Sequence, residues 1–347
     1  MKQLIALCAF TVVVTPGVRD AEIAAAVKSR VDAKKSAGMV VATIEPDGSS
    51  SFAAYGDPGP DARPLDADSV FEIGSITKVF TATLLADMAD RGEVTLDDPV
   101  ALYVPAGVRI PERNGRKITL LDLATQSSAL PRLPGNMHAR DPKNPYADYT
   151  TDDLFAFLSG YELTRDVGAQ YEYSNLGVGL LGQALSRKAG KSYEALVDER
   201  ILKPLKMEHS GITLTPWMRE HLARGHNAQL QIVPNWDLPA LAGAGALRST
   251  MNDMLKFARA NLDASAGRLS RVMQTTHERR RAAGSPDMSI GLAWHIRHAD
   301  GRDIVWHNGG TGGYRTWLGF DKGRRVAAIV LTNSSLSNDD LGFALVK

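Results

Sequence analysis

Cysteine is almost absent: the 347-residue chain has one, Cys8, inside an apolar run near the N-terminus. No intrachain disulfide can form, and a thiolate-based metal site has nothing to be built from. An excess of charge of one sign is missing too, with Lys+Arg 40 against Asp+Glu 39 and a formal net charge of +1. That balance projects no strong field toward nucleic acid or an anionic surface, so neither is expected as a partner. Low-complexity tracts and fixed-period repeats are absent. Two hydrolase signatures are missing as well. No Gly-x-Ser-x-Gly elbow occurs, and no His-Glu-x-x-His. His295-x-x-His298 falls on an expected strand, where an odd spacing sends the two rings to opposite faces, so no metal is expected. His138, His209, His221, His226 and His277 read as ordinary surface or core residues.

Residues 4–14 form an apolar run too short to span a bilayer. Lys2 precedes it and Thr15-Pro16-Gly17 breaks it, so residues 1–21 read as an export signal for a periplasmic or secreted protein. Arg19 spoils the small-x-small pattern before Ala21, which leaves the cleavage point undefined, and a buried first helix or strand is the competing reading. Leu7 before Cys8 is too bulky for a typical lipoprotein site, so no stable membrane anchor is expected.

What is present is ordinary globular material, 44% hydrophobic and 23% charged, enough for a sizeable core and two lobes. The pattern predicts a helix over 22–35, strands at 38–44 and 51–55 around the turn Pro46-Asp47-Gly48, and a helix over 77–90 ended by Gly92. Helices are expected at 119–125, 151–158, 176–187 and 192–202, with a long loop at 130–149 that borders a cleft. Thr250 with Asp253 reads as a cap opening a helix over 251–261. Strands return at 290–297, 303–307, 314–320 and 326–332, and a closing helix is expected at 339–347. The expected fold class is α/β of the α+β type: an antiparallel sheet flanked by helices, with an inserted helical lobe. Residues 22–98 and 236–347 make the α/β lobe and 99–235 the helical one, leaving a crevice between them as the natural site.

Three short motifs carry chemistry. Ser75-Ile76-Thr77-Lys78 puts a serine and a lysine on one helix face at the helix start. Unpaired N–H groups there favour developing negative charge, and the amine can reach the serine oxygen, which makes an activated nucleophile. An N-capping serine beside a surface lysine is the plainer alternative. Tyr173-Ser174-Asn175 precedes an expected helix. Near cations its phenol would ionise more easily, take the serine proton and return it to a leaving group. Asn175 could bridge Lys78 to a substrate amide; a core tyrosine with a capping asparagine is the alternative. His307-Asn308-Gly309-Gly310-Thr311-Gly312-Gly313 follows an expected strand. Its glycines let a strand edge lie against a bound extended acyl group, with Gly310 N–H paired with Ser75 N–H as oxyanion donors. A Gly-rich hairpin corner is the alternative.

Taken together, Ser-x-x-Lys, then Tyr-x-Asn, then Lys/His-x-Gly on a late strand resembles the serine penicillin-recognising enzymes. The Tyr-Ser-Asn form is similar to the class C β-lactamase branch, with its related D-alanyl-D-alanine peptidases and esterases. Supporting stretches lie at 122–131, 201–207 and 242–250. The resemblance implies a β-lactamase/transpeptidase-like fold and hydrolysis through a Ser75 acyl-enzyme without any cofactor. It also implies catalytic roles for Ser75, Lys78 and Tyr173, and substrate-binding roles for Asn175, His307, Asn308, Gly309 and Gly310. The implied partner is a small-molecule β-lactam, an ester or a D-Ala-D-Ala peptide. β-Lactam hydrolysis ranks first, ester or amide hydrolysis second and D-alanyl-D-alanine carboxypeptidase activity third. A non-catalytic penicillin- or peptidoglycan-binding receptor is the reading from another class. The departure is His307-Asn308-Gly309 where typical class C enzymes carry Lys-Thr-Gly. A lysine keeps full charge beside a substrate carboxylate and a histidine does not, so weaker anchoring is expected, or anchoring shared with a cation such as Arg315.

Overall fold

The computed structural model describes residues 18–347. Nearly all of the expected export signal, and Cys8 with it, lies outside the described residues. The first element is the helix Val18–Asp32, which begins four residues earlier than the sequence pattern suggested.

Ten strands follow in chain order: β1 Gly38–Ile44, β2 Ser50–Gly56, β3 Val70–Glu72, β4 Arg248–Thr250, β5 Arg281–Ala283, β6 Ser285–Ile290, β7 His295–Ala299, β8 Arg302–Gly310, β9 Arg315–Asp321 and β10 Val326–Thr332. Eight of them form one sheet in the order β2-β1-β10-β9-β8-β7-β6-β5. Every neighbouring pair in it is antiparallel. β3 and β4 form a separate two-stranded ribbon. Among the described residues, 99–235 contribute helices and loops but no strand to either sheet.

Each face of the large sheet is covered. Ile23 and Val27 of the first helix pack with Met39, Val41, Ile304, Trp317, Val330 and Leu341 on one side. On the other side Val40, Ala42, Val305, Leu318 and Ile329 join the main core with the helices Thr77–Asp90 and Met251–Leu262. Alternation along β8 therefore sends Ile304 to the first face and Val305, with His307 in the same parity, to the second.

The helix Thr77–Asp90 spans the residues expected for it and is buried on all sides from Thr77 to Met88. Its buried Asp87 is neutralised by Arg91, Arg200 and Arg268, as a charge removed from water requires. One expected strand is corrected. Residues 290–297 do not form a single strand: β6 ends at Ile290 and β7 starts at His295. The link between them turns at Ala293, whose φ is +61°, a left-handed value that no strand accommodates.

Two glycines bring β8 against the start of the buried helix. A Cβ at Gly309 would lie 1.9 Å from Ile73 O and 2.4 Å from Thr316 Oγ1, and one at Gly74 would lie 2.6 Å from Gly310 N. Gly74 also has φ +50°, where a side chain is strained. Thr316 Oγ1 closes the seam by donating to Ile73 O at 2.9 Å. Gly309→Ala is expected to destabilise the fold by about 1–3 kcal/mol through overpacking and to slow acylation by opening the seam. A melting temperature and a labelling rate both equal to those of the unmodified protein would refute this reading of the glycine.

Candidate active site

Ser75 lies half-buried in a single 3-10 turn, Gly74–Ile76, that runs directly into the helix Thr77–Asp90. Lys78 is fully buried one turn on, and its Nζ lies 2.9 Å from Ser75 Oγ. The same nitrogen donates to Asn175 Oδ1 at 2.8 Å and to the Ala244 carbonyl at 2.6 Å. Asn175 opens the helix Asn175–Ala189, and Ala244 belongs to the short helix Ala242–Gly245. Three distant segments thus meet at one amine.

Burial, and after it the charge of Arg132, holds the Lys78 amine well below the usual lysine range. In its free-base form this amine has two protons and one lone pair. The carbonyl oxygens of Asn175 and Ala244 can only accept, so they take the two protons and leave the lone pair for the Ser75 hydroxyl.

Tyr173 is fixed through its neighbour. Ser174 caps the helix by accepting from Gly177 N, donates its own hydroxyl to Pro131 O at 2.6 Å, and donates its backbone N–H to Gln126 Oε1 at 2.7 Å. The Tyr173 ring centre lies 4.8 Å from Lys78 Nζ and 4.9 Å from Arg132 Cζ. The expectation that nearby cations would make this phenol ionise easily is overturned. Desolvation pushes it above the usual tyrosine range, and Ser75 and Arg132 pull the other way without overcoming that. Tyr173 is therefore a neutral phenol in the resting site, fitted to donate a proton.

His307 is buried, and its Nδ1 lies 2.6 Å from Asn308 O. A carbonyl accepts only, so Nδ1 carries the proton, while the bare Nε2 has no hydrogen-bond partner. Burial, then the neighbouring His295 and Lys78, keep the ring well below the usual histidine range. His295 stands 5.0 Å from it between ring centres and is itself held at about 4 by burial. Its Nε2 lies 2.8 Å from the Tyr171 hydroxyl. His307 is thus an uncharged group, and carboxylate anchoring has no cation at this position.

Pairing of β7 with β8 stops at His295 opposite Trp306, whereas β9 follows β8 as far as Gly310 opposite Arg315. Residues 307–310 therefore keep one strand edge without a β-partner. Gly309 and Gly310 lie at the seam with Gly74, next to Ser75. The Asn308 side chain is turned elsewhere, donating to Asp339 Oδ2 at 2.7 Å.

The family model described as Beta-lactamase matches residues 23–345. The chain belongs to the beta-lactamase family of serine hydrolases. Among curated relatives, the D-alanyl-D-alanine-carboxypeptidase/endopeptidase AmpH of Escherichia coli K12 is 32% identical over 318 residues, covering 86% of this chain and 80% of its own length. A Beta-lactamase from the same organism is 26% identical, covering 89% of this chain and 87% of its own. The solved Beta-lactamase/D-alanine Carboxypeptidase from Yersinia pestis, complexed with citrate, superposes with a TM-score of 0.80 at 28% identity. It covers 94% of this chain and 99% of that one.

In this beta-lactamase-family chain the structure brings Ser75, Lys78, Tyr173 and Asn175 together, with His307, Gly309 and Gly310 beside them, while Asn308 faces Asp339. Sequence reasoning missed the Ala244 carbonyl, Arg132, Tyr171 and Tyr146, whose hydroxyl lies 3.4 Å from Asn175 Nδ2, and took up His295 only to set it aside as a metal ligand. Only Ala244 had a signal, since it lies in a stretch already singled out for its family likeness. The others sit on loops and a strand where a polar residue is unremarkable.

Proposed function

We propose that the protein is a class C type β-lactam hydrolase working through an acyl-enzyme on Ser75, in a crevice between an α/β lobe, 22–98 with 236–347, and a helical lobe, 99–235. The carrying observation is the Lys78 amine, 2.9 Å from Ser75 Oγ and with only acceptors on its other side. Lys78 takes the hydroxyl proton as Ser75 Oγ bonds to the carbonyl carbon. Ser75 and Gly310 N–H groups receive the oxyanion. As the carbon–nitrogen bond breaks, Tyr173 gives its proton to the leaving nitrogen and recovers one from Lys78. In the second half, water loses a proton to this pair while its oxygen attacks the ester, and Ser75 leaves with that proton. Asn175 holds the acyl amide, and the free edge of residues 307–310 aligns the acyl chain as an added strand. An exported location, supported by Lys2 and the apolar run after it, is part of the same proposal.

A D-alanyl-D-alanine carboxypeptidase is the second reading, favoured by the higher identity to AmpH than to the E. coli Beta-lactamase. Side-by-side turnover of a chromogenic cephalosporin, a short-chain aryl ester and a D-Ala-D-Ala peptide decides between them. Fastest turnover of the cephalosporin supports the first reading. Acylation without turnover of any of the three would point to a receptor.

Position 307 gives a further expected outcome. His307→Lys restores a cation there, so kcat/KM for carboxylate-bearing β-lactams should rise about tenfold relative to neutral esters, the worth of one charge-assisted hydrogen bond. Equal slowing of both substrate types would show that this position does not govern carboxylate binding.

A further inference from the structure

The site lacks a charge at position 307 yet has an unused cation elsewhere. Arg132 is exposed, and among the described residues no carboxylate pairs with its guanidinium. It is nevertheless rooted at the site. Asn175 N and Leu176 N donate to Arg132 O at 3.0 and 3.3 Å, and Ser174 Oγ holds the preceding carbonyl of Pro131. The guanidinium lies over the Tyr173 ring, 4.9 Å from its centre. Tyr173 is the group assigned to hand a proton to the departing atom, so Arg132 stands at the leaving-group end of the crevice.

Arg315 is the other cation near the reacting groups, with its Nη1 close over Gly310. It too forms no ion pair among the described residues, but it differs in that its charge acts on Asp339, the carboxylate that Asn308 binds. A carboxylate arriving there comes close to Asp339, whereas no carboxylate among the described residues forms an ion pair with Arg132. The sequence-based expectation had instead named Arg315 as a cation that could share the anchoring.

We propose that Arg132 is the anion anchor of this site, receiving a carboxylate carried by the leaving group of the substrate. The inference rests on the hydrolase reading above for its orientation. A guanidinium offers a planar pair of N–H donors to a carboxylate, and stacking on Tyr173 limits its motion before substrate arrives.

Two measurements test it. The first compares kcat/KM for phenyl butyrate, 3-carboxyphenyl butyrate and phenyl hemisuccinate, which place the carboxylate nowhere, on the leaving group and on the acyl group. Arg132→Gln should lower the preference for 3-carboxyphenyl over phenyl butyrate about tenfold, and Arg132→Lys should keep most of it. An unchanged preference, an equal loss on all three esters, or a loss confined to the hemisuccinate would overturn the proposal. The second needs no turnover. Calorimetric binding of 3-hydroxybenzoate, the carboxylated leaving group itself, is measured on the Ser75→Ala protein with and without Arg132→Gln, after melting curves establish that both fold. About tenfold weaker binding without the arginine supports the anchor even if none of the esters is hydrolysed, and equal binding sinks it. Failure of the hydrolase reading shows separately, as wild-type protein that turns over neither phenyl butyrate nor the cephalosporin and the D-Ala-D-Ala peptide named above.

Discussion

Ser75→Ala is expected to abolish stoichiometric labelling by a fluorescent penicillin and to lower turnover of any ester or β-lactam by at least about a thousandfold. The expectation follows from the local architecture. Ser75 Oγ is the hydroxyl that the buried Lys78 amine faces at 2.9 Å, and it lies beside the seam where Gly74 and Gly310 meet. Removing that oxygen leaves the amine, the phenol and the strand edge in place but leaves no atom to bond to the acyl carbon. The substitution is small, and Ser75 is half-buried in a 3-10 turn, so the fold should survive. Mass spectrometry of the labelled protein provides the check. A covalent adduct that persists at full stoichiometry on the alanine variant would show that another residue is the nucleophile.

Lys78→Met should be nearly as damaging, with kcat/KM lower by about 10²–10⁴-fold, the usual worth of a positioned base. Methionine matches the stem of lysine but has no lone pair to accept the hydroxyl proton. Lys78→Arg separates base from charge, because a guanidinium stays protonated throughout the accessible range and should fail as well. The pH profile has a definite sign. Since burial and Arg132 hold Lys78 well below the usual lysine range, more of the amine is the free base at a given pH than for an ordinary lysine, and that share shrinks as the pH falls. The rate must therefore drop on the acid side, through the depressed pKa of this amine, and the residual activity of Lys78→Met must lack that limb. A methionine variant that folds and acylates within tenfold of the natural protein would remove Lys78 from the mechanism.

Legibility from sequence differed sharply between elements. The bounds expected for β1, β10 and the buried helix 77–90 coincide with the observed ones, because uninterrupted apolar runs and a closing glycine leave little choice of conformation. The ribbon β3–β4 was invisible. It joins Glu72 to Arg248, 176 positions away, in three-residue strands too short to carry a period. The helix Arg268–Thr276 was missed as well. At 290–297 an alternating pattern hid the turn at Ala293. In the candidate site, Ser75, Lys78, Tyr173 and the glycine edge were all marked by motif spacing, whereas Arg132, His295 and Tyr171 belong to none of the three motifs.

The order of three motifs and the apolar periods around them were enough to point to the family and to a candidate set of groups, because covalent spacing across one helix start already places Ser75 within reach of Lys78. Protonation states were decided only by the tertiary structure. Whether an amine, a phenol or an imidazole carries charge depends on the solvent removed from it and on the partners brought to it by remote segments. Those quantities do not exist until Ala244, Asn175, Arg132 and β8 close around the same few atoms.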